Sequence, residues 1–279
     1  KGDTVQALQY FHTLSETFPN DWRVYFSLGR IYYFKRDRQQ AQENLEKALS
    51  LNNEYLHTWI LLGLTYIQTQ QLDRAQKHFQ NALKVFPDDP DLNFFMGSVF
   101  QQTKEYEQAL QYLQKALKLD PDNIQTLSTM AAVYDELGQY AESEKYYELA
   151  LKLNPDDPVI LNNYSYSLSE RGVRLDEALE MVKKALQAEP RNGAFLDTIG
   201  WIYYKMGDYQ KALQYIQEAI QIRDDSAEVL EHLGDVYEKL GDFENAKAYW
   251  QKAWDRDQSR KWLLEKLGQK INRTDEKKQ

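Results

Sequence analysis

Residues 56–89 read LHTWILLGLTYIQTQQLDRAQKHFQNALKVFPDD, and this pattern recurs along the chain. Within it Trp59, Leu62, Gly63 and Tyr66 fall at helical spacing, and after a short polar turn Ala75, Phe79, Ala82 and Leu83 do so again. The stretch therefore predicts two helices. Working outward, Gly29, Gly63 and Gly97 are 34 residues apart, and Gly200 and Gly234 repeat the interval. A second series, Gly138, Gly172, Gly207 and Gly241, is spaced 34, 35 and 34. Pro87, Pro121 and Pro155 keep the same step, with Pro190 following after 35. A fixed period of this length is the mark of a repeat architecture, in which each unit is one supersecondary element.

The frame that fits is 22–55, 56–89, 90–123, 124–157, 158–192, 193–226 and 227–260. The fifth repeat carries one extra residue, within Gly172-Val173-Arg174-Leu175. All seven prolines lie at the joints between repeats. Asp89-Pro90 and Asp157-Pro158 supply an N-cap aspartate and a proline at the first helical position. Pro87 and Pro155 stop the preceding helix, because proline cannot continue its hydrogen bonding. Small residues at repeat positions 8, 20 and 27 let the two helices approach, and large ones at 4, 7, 11 and 24 fill the space between layers. Ala131, Ser143 and Ser165 depart from the pattern but stay small. No repeat can bury its apolar face alone, so each depends on its neighbours.

Residues 1–21 read as the second half of an earlier repeat, with Ala7, Phe11, Leu14 and Pro19 at the expected offsets. Such an opening, without a first helix, leads to the expectation that more chain precedes it. Residues 261–271 place Trp262, Leu263, Leu267 and Ile271 along one side of a helix, read as a cap over Trp250 and Trp254, with 272–279 a polar tail.

The run Trp59-Ile60-Leu61-Leu62-Gly63-Leu64-Thr65-Tyr66, with Ala75, Phe79, Ala82 and Pro87, resembles the tetratricopeptide (TPR) repeat. Gly207-Asp208-Tyr209-Gln210-Lys211-Ala212-Leu213 is similar to the family consensus. The resemblance spans about residues 2–260. It implies an all-α fold, a right-handed α-α superhelix (TPR solenoid) of about seven and a half repeats plus a C-terminal capping helix. Repeats 5 and 6, with Asn162-Asn163-Tyr164-Ser165-Tyr166 and Leu196-Asp197-Thr198-Ile199-Gly200-Trp201, resemble a pair found in bacterial TPR proteins, several of them envelope proteins or lipoproteins. That implies a bacterial source, with the periplasm or cell envelope preferred and the cytoplasm as the alternative.

The chain of 279 residues is 28% charged, with a net charge of −9, and its basic residues are scattered singly or in pairs. Such a surface repels a phosphate backbone, so no nucleic-acid partner is expected. The longest apolar run, Trp59–Leu64, is far short of the roughly 20 residues a membrane span needs, so no direct membrane insertion is expected. There is no cysteine, which excludes disulfides and thiolate chemistry. His12, His57, His78 and His232 have no metal-ligand spacing and read as surface or half-buried helix residues. The pairs Asp88-Asp89, Asp156-Asp157 and Asp224-Asp225 recur at one joint, where capping explains them. No metal site, cofactor or catalytic set can be assembled, and the chain is expected not to be an enzyme.

The resemblance implies that positions 2, 5, 9 and 12 of each first helix face a concave groove. The candidates for a protein or peptide ligand read from it are Phe26, Arg30, Tyr33, Ile60, Leu64, Ile67, Phe94, Asn162, Tyr166, Asp197, Trp201 and Tyr204. The groove is thus aromatic and aliphatic first, small and polar in the middle, aromatic again at Tyr166, Trp201 and Tyr204, and acidic at Glu228, Glu231, Asp235 and Glu238. Exposed apolar patches mark partner sites, and rigid Trp and Tyr anchors are typical hot spots. Burial of this face against the next repeat is the structural alternative, and the acidic end reads as a solvated face, the commoner case for such charges. The Lys-and-Asn carboxylate clamp of co-chaperone TPR domains is absent, because positions 5 and 9 read Phe26/Arg30, Ile60/Leu64 and Phe94/Ser98. The leading reading is a non-enzymatic scaffold binding a protein or peptide segment. Its rivals are a self-assembling homo-oligomer and the targeting arm of a larger protein or enzyme.

Overall fold

The computed structural model describes residues 2–222 and 226–268, all-α with sixteen helices and no strand among the described residues. In order these are α1 (Gly2–Thr17), α2 (Trp22–Phe34), α3 (Arg38–Leu51), α4 (Leu56–Gln68), α5 (Leu72–Val85), α6 (Pro90–Gln102), α7 (Tyr106–Leu119) and α8 (Ile124–Glu136). Then follow α9 (Tyr140–Leu153), α10 (Pro158–Arg171), α11 (Leu175–Ala188), α12 (Gly193–Met206), α13 (Tyr209–Ile222), α14 (Ala227–Lys239), α15 (Phe243–Arg256) and α16 (Trp262–Lys266). Ile271 and the tail 272–279, like Asp224 and Asp225, lie outside the described residues. The chain divides within α9 into two compact halves, 1–146 and 147–279, each taken by itself below.

Helix starts follow the capping logic. Asp89 accepts from the Leu92 amide at 2.8 Å ahead of Pro90, and Asp157 accepts from the Val159 and Ile160 amides at 3.1 Å ahead of Pro158. Each such cap is worth about 1 kcal/mol. The two helices of a repeat differ in how they bury themselves. First helices are packed on two sides: α4 buries Thr58, Trp59, Leu62, Gly63, Thr65 and Tyr66, whereas α5 buries only the single stripe Ala75, His78, Phe79 and Ala82. The glycine at position 8 is required by the close approach between them. A Cβ added to Gly63 would lie 2.1 Å from the Phe79 ring.

Three features were hidden, wholly or in part, in the repeat pattern. First, the residue at position 15, in the turn between the helices, has positive φ in every repeat. It is glycine at Gly138, Gly172, Gly207 and Gly241, but Arg36, Gln70 and Lys104 adopt the same left-handed conformation, with φ of 62°, 57° and 63°. Second, the extra residue of repeat 5 is absorbed by another left-handed residue, Arg174, whose guanidinium donates to the Tyr164 hydroxyl at 3.0 Å. Third, aromatic residues at position 23 stack on those at position 11. The pairs Phe100–Tyr112, Tyr134–Tyr146, Tyr203–Tyr215 and Tyr237–Tyr249 have centroids 5.5, 5.4, 5.6 and 5.6 Å apart. Each has a lysine over one ring: Lys115, Lys145, Lys211 and Lys252. An aromatic pair adds about 0.5–1.5 kcal/mol beyond its burial, so these staples reinforce the helix pair away from the glycine contact.

In the N-terminal half the core runs through Leu45, Leu62, Phe79, Met96, Leu113 and Met130. In the C-terminal half Ile216, Leu233 and Val236 form one cluster, and Leu230, Trp250, Ala253 and Leu263 form the next, against which Trp254 and Leu267 pack. No described helix is long and apolar enough to cross a membrane.

Two expectations are corrected here. His78 and His232, read as surface or half-buried residues, are only 8% and 5% exposed. His78 bonds through Nε2 to the Trp59 carbonyl at 2.8 Å and packs on the Trp59 ring. Desolvation pushes its pKa down to about 4, so it is held neutral.

Candidate functional site

In the N-terminal half the predicted residues form a half-buried apolar strip. Phe26 meets Tyr55 edge-on, with centroids 5.0 Å apart, and Tyr55 also packs on Trp22 at 4.7 Å. Ile60, Ile67 and Phe94 are partly buried and pack against the core, and Leu64 is half-buried. The Tyr33 hydroxyl accepts from the Gln68 amide at 2.7 Å, and burial raises its pKa. Arg30 stands exposed. The neighbouring repeats thus cover part of this face, leaving a shallow apolar band rather than fully open side chains.

In the C-terminal half the predicted residues converge on a polar and aromatic network. Asp197 and Trp201 lie at positions 5 and 9 of α12, one turn apart, with exposures of 5% and 7%. What closes over them is His232 at position 6 of α14. Its Nδ1 lies 3.1 Å from both Asp197 carboxylate oxygens, and its ring stacks on Trp201 at 4.0 Å and 14°. Tyr204 is nearly parallel to the Trp201 ring, 4.6 Å away. The Trp201 indole N–H donates to Glu170 at the end of α10, and Lys205 lies over the same indole at 4.9 Å. Tyr166 of α10 donates to Glu228 of α14 at 2.7 Å. Asn162, one turn earlier on α10, is 8% exposed.

The electrostatics follow from this packing. Burial alone would lower the pKa of His232, but Asp197, Glu228 and Glu170 more than offset it, so the imidazole is raised above its ordinary value. Burial, followed by the nearby carboxylates Glu228, Glu170 and Asp197, drives the Tyr166 phenol strongly upward. Burial with Asp235 and Glu238 pushes Tyr204 up to about 12. Both tyrosines are therefore neutral donors. One face of the His232 ring is covered by Trp201, and its Nδ1 is taken by Asp197. Among the described residues no group of three or more His, Cys, Asp or Glu is placed to hold a metal ion.

The acidic end is solvated only in part, with Glu238 exposed but Glu231 and Asp235 covered. Glu231 is 8% exposed and accepts from Arg260 at 2.6 Å, Trp262 at 2.8 Å and Lys266 at 3.1 Å. Asp235 accepts from Trp250 at 2.8 Å and Lys266 at 2.6 Å. The segment ending in α16 therefore lies against α14, with Leu263 fully buried.

The structure thus brings Tyr166, Asp197, Trp201 and Tyr204 together, with Asn162 beside them on α10, and leaves the N-terminal candidates as a separate band. Sequence reasoning missed Glu170 and His232. A pairing of position 5 in one repeat with position 6 in the next was the available signal: Asp197 with His232, and Glu231 with Lys266.

The family model described as "Cilia and flagella-associated protein 70 C-terminal domain", a TPR model, matches residues 1–195. The chain belongs to this TPR family. Models of the TPR repeat and the tetratricopeptide repeat also match residues 200–241 and 227–259. The "TPR repeat-containing protein PA4667" of Pseudomonas aeruginosa is 43% identical over 47 residues, which are 17% of this TPR chain and 8% of that protein. A TPR protein from Parabacteroides merdae superposes with a TM-score of 0.72 at 18% identity, covering 88% of this chain and 97% of that one. Cut9–Hcn1, an APC/C hetero-tetramer, gives 0.74 at 15% identity, covering 95% and 52%. YrrB, described as a TPR protein with an unusual peptide-binding site, gives 0.50 at 21%, covering 67% and 95%. These likenesses establish the TPR solenoid fold.

Proposed function

We propose that the chain is a non-enzymatic TPR scaffold whose first helices bind a protein segment, with the Tyr166–Trp201–Tyr204 face as the principal contact. The observation that carries this reading is the bracing of that face. Trp201 is fixed on one side by His232 and at its indole N–H by Glu170, so Tyr204 lies on a rigid plate rather than a mobile side chain. A partner meeting a preorganised aromatic surface loses little conformational entropy to it. Buried Trp201 acts as the support, and half-buried Tyr204 and Tyr166 as the contact. The description of YrrB as a TPR protein with an unusual peptide-binding site is in keeping with this reading. The same reading frames 22–260 as seven repeats, with Trp262–Lys266 as the described part of the cap.

Selection of a displayed random-peptide library on the immobilised chain tests this. Recovered peptides should lose at least about tenfold in affinity for Tyr204→Ala, a hot-spot-sized effect, and bind Glu218→Gln on exposed α13 as they bind the parent. Equal binding to parent and Tyr204→Ala removes the site.

A second reading, self-association, is favoured by the exposure of Val5, Tyr10, Phe18 and Phe34, at 56%, 62%, 53% and 75%. A second copy covering these side chains would give a mass that falls on dilution in light scattering. A monomer mass at every concentration ends that reading.

A further inference from the structure

We infer that the segment taken by the C-terminal inner face carries an arginine or lysine, drawn to the face on which Glu170 and Glu228 flank Tyr166 and Glu238 flanks Tyr204; this rests on the binding role proposed above. Three observations lead there, and the first is an imbalance of charge. Glu231 and Asp235 are matched by Arg260 and Lys266. Two repeats back, Glu170 receives the Trp201 indole, and on α14 itself Glu228 receives the Tyr166 hydroxyl and Glu238 is exposed. Among the described residues none of these three carboxylates has a basic side chain within ion-pair distance. His232 is committed to Asp197, and Lys205 turns to the Glu170 backbone carbonyl at 3.1 Å.

The second is what the chain itself places on such surfaces. Lys266 combines the carboxylates of Glu231 and Asp235 with the Trp250 ring 5.5 Å away, and Arg260 combines Glu231 with the Trp262 ring at 5.6 Å. Carboxylate plus aromatic face is the combination that holds a cation, because the ring quadrupole and the anion attract it together. Tyr166 beside Glu170 and Glu228, and Tyr204 beside Glu238, repeat that combination with no lysine or arginine over either ring among the described residues, while His232, 6.4 Å from Tyr166, is held in its pair with Asp197.

The third is an acceptor left over. Position 5 of repeat 7, Glu231, receives Lys266 from position 6 of the following segment, and position 5 of repeat 6, Asp197, receives His232. In repeat 5 the corresponding residue is Asn162, but Thr198 at the next position 6 donates to the Ala194 carbonyl instead, at 3.0 Å. The Oδ1 of Asn162 is buried with no hydrogen-bond partner, although such groups are normally satisfied. The strip is thus rich in acceptors and carboxylates, which a guanidinium or ammonium complements and an acidic or purely apolar segment does not.

The test uses the random-peptide library on the full chain, with counter-selection on Glu170→Gln/Glu228→Gln/Glu238→Gln, which keeps side-chain shape and hydrogen-bonding oxygens. Peptides that bind the parent and are lost on the triple variant should share an arginine or lysine. A synthetic copy of the leading peptide should weaken about tenfold when that residue becomes citrulline or norleucine, about tenfold on the triple variant, and by much less than the product when both are changed. Its affinity for the parent should also fall as salt rises. Circular dichroism of the variant confirms that it folds. If recovered peptides depend on Tyr204 yet lack a common cation, or bind equally as citrulline peptides, the cation reading falls and the inner-face reading stands. If no recovered peptide depends on Tyr204, both fall.

Discussion

Replacing Asp197 by asparagine should destabilise the C-terminal half by about 3 kcal/mol near pH 6, the lower end of what breaking a buried ion pair costs. Both side chains are 7% exposed and His232 Nδ1 is 3.1 Å from each carboxylate oxygen. At an effective dielectric of about 20, two unit charges at that distance attract by about 5 kcal/mol. Asparagine keeps a hydrogen-bond acceptor but no charge, and the imidazole can escape by losing its proton, which holds the net cost below that figure. The pH dependence carries the sharper signature. His232 has a raised pKa in the fold, so its pairing stabilises fully below the unfolded value of about 6.5, and this contribution disappears as pH rises through the folded value. The difference between parent and variant should therefore be large near pH 6 and narrow as pH rises through the folded value. Because repeat arrays open in segments, amide hydrogen exchange in α12 and α14 across this pH range is the suitable assay, supported by urea unfolding. A cost below about 1 kcal/mol, or one that does not change with pH, would refute the reasoning.

His78 should show the opposite dependence in the N-terminal half. Its pKa is pushed down to about 4, so the stability it contributes is complete above about pH 6.5 and is lost as pH falls from there towards 4. His78→Gln should flatten acid sensitivity of exchange in α4 and α5. Gly63→Ala should destabilise by about 1–3 kcal/mol, since its Cβ would overlap the Phe79 ring, and Gly63→Ala/Phe79→Leu should recover part of the loss in thermal unfolding. Gly207→Ala, at φ 84°, should cost about 1 kcal/mol, whereas Lys104→Gly, at φ 63°, should be neutral or slightly stabilising by the same measurement.

The glycine and proline period made the helix pairs legible because both residue types act locally. Gly63 fits only a close approach, and Pro90 and Pro158 fit only a helix start. The left-handed turn was legible at Gly138, Gly172, Gly207 and Gly241 but hidden at Arg36, Gln70 and Lys104, because a side chain does not announce the sign of φ. The stacks at position 23 were hidden for a related reason. Tyr112, Tyr146, Tyr215 and Tyr249 look like stray surface aromatics until the partner helix supplies Phe100, Tyr134, Tyr203 and Tyr237.

At the candidate site, the identities of Tyr166, Asp197, Trp201 and Tyr204 could be read from position alone, but their environment could not. Burial of Asp197 and Trp201 comes from His232, which belongs to the next repeat and to a position not counted as inner. Likewise the acidity of Glu231 and Asp235 reads as a solvated face until Arg260 and Lys266 are placed against it. Pairing across repeats depends on helix stacking, a property of the assembled solenoid rather than of any single 34-residue unit.

The most direct measurement is a cross-linking map. A library-selected peptide carrying a photoreactive phenylalanine analogue would be irradiated on the full chain and the linked residues identified by mass spectrometry. The account predicts links to α10, α12 and α14 around Tyr166 and Tyr204, abolished by Tyr204→Ala. Links confined to the second helices α11, α13 and α15, unchanged in that variant, would contradict it.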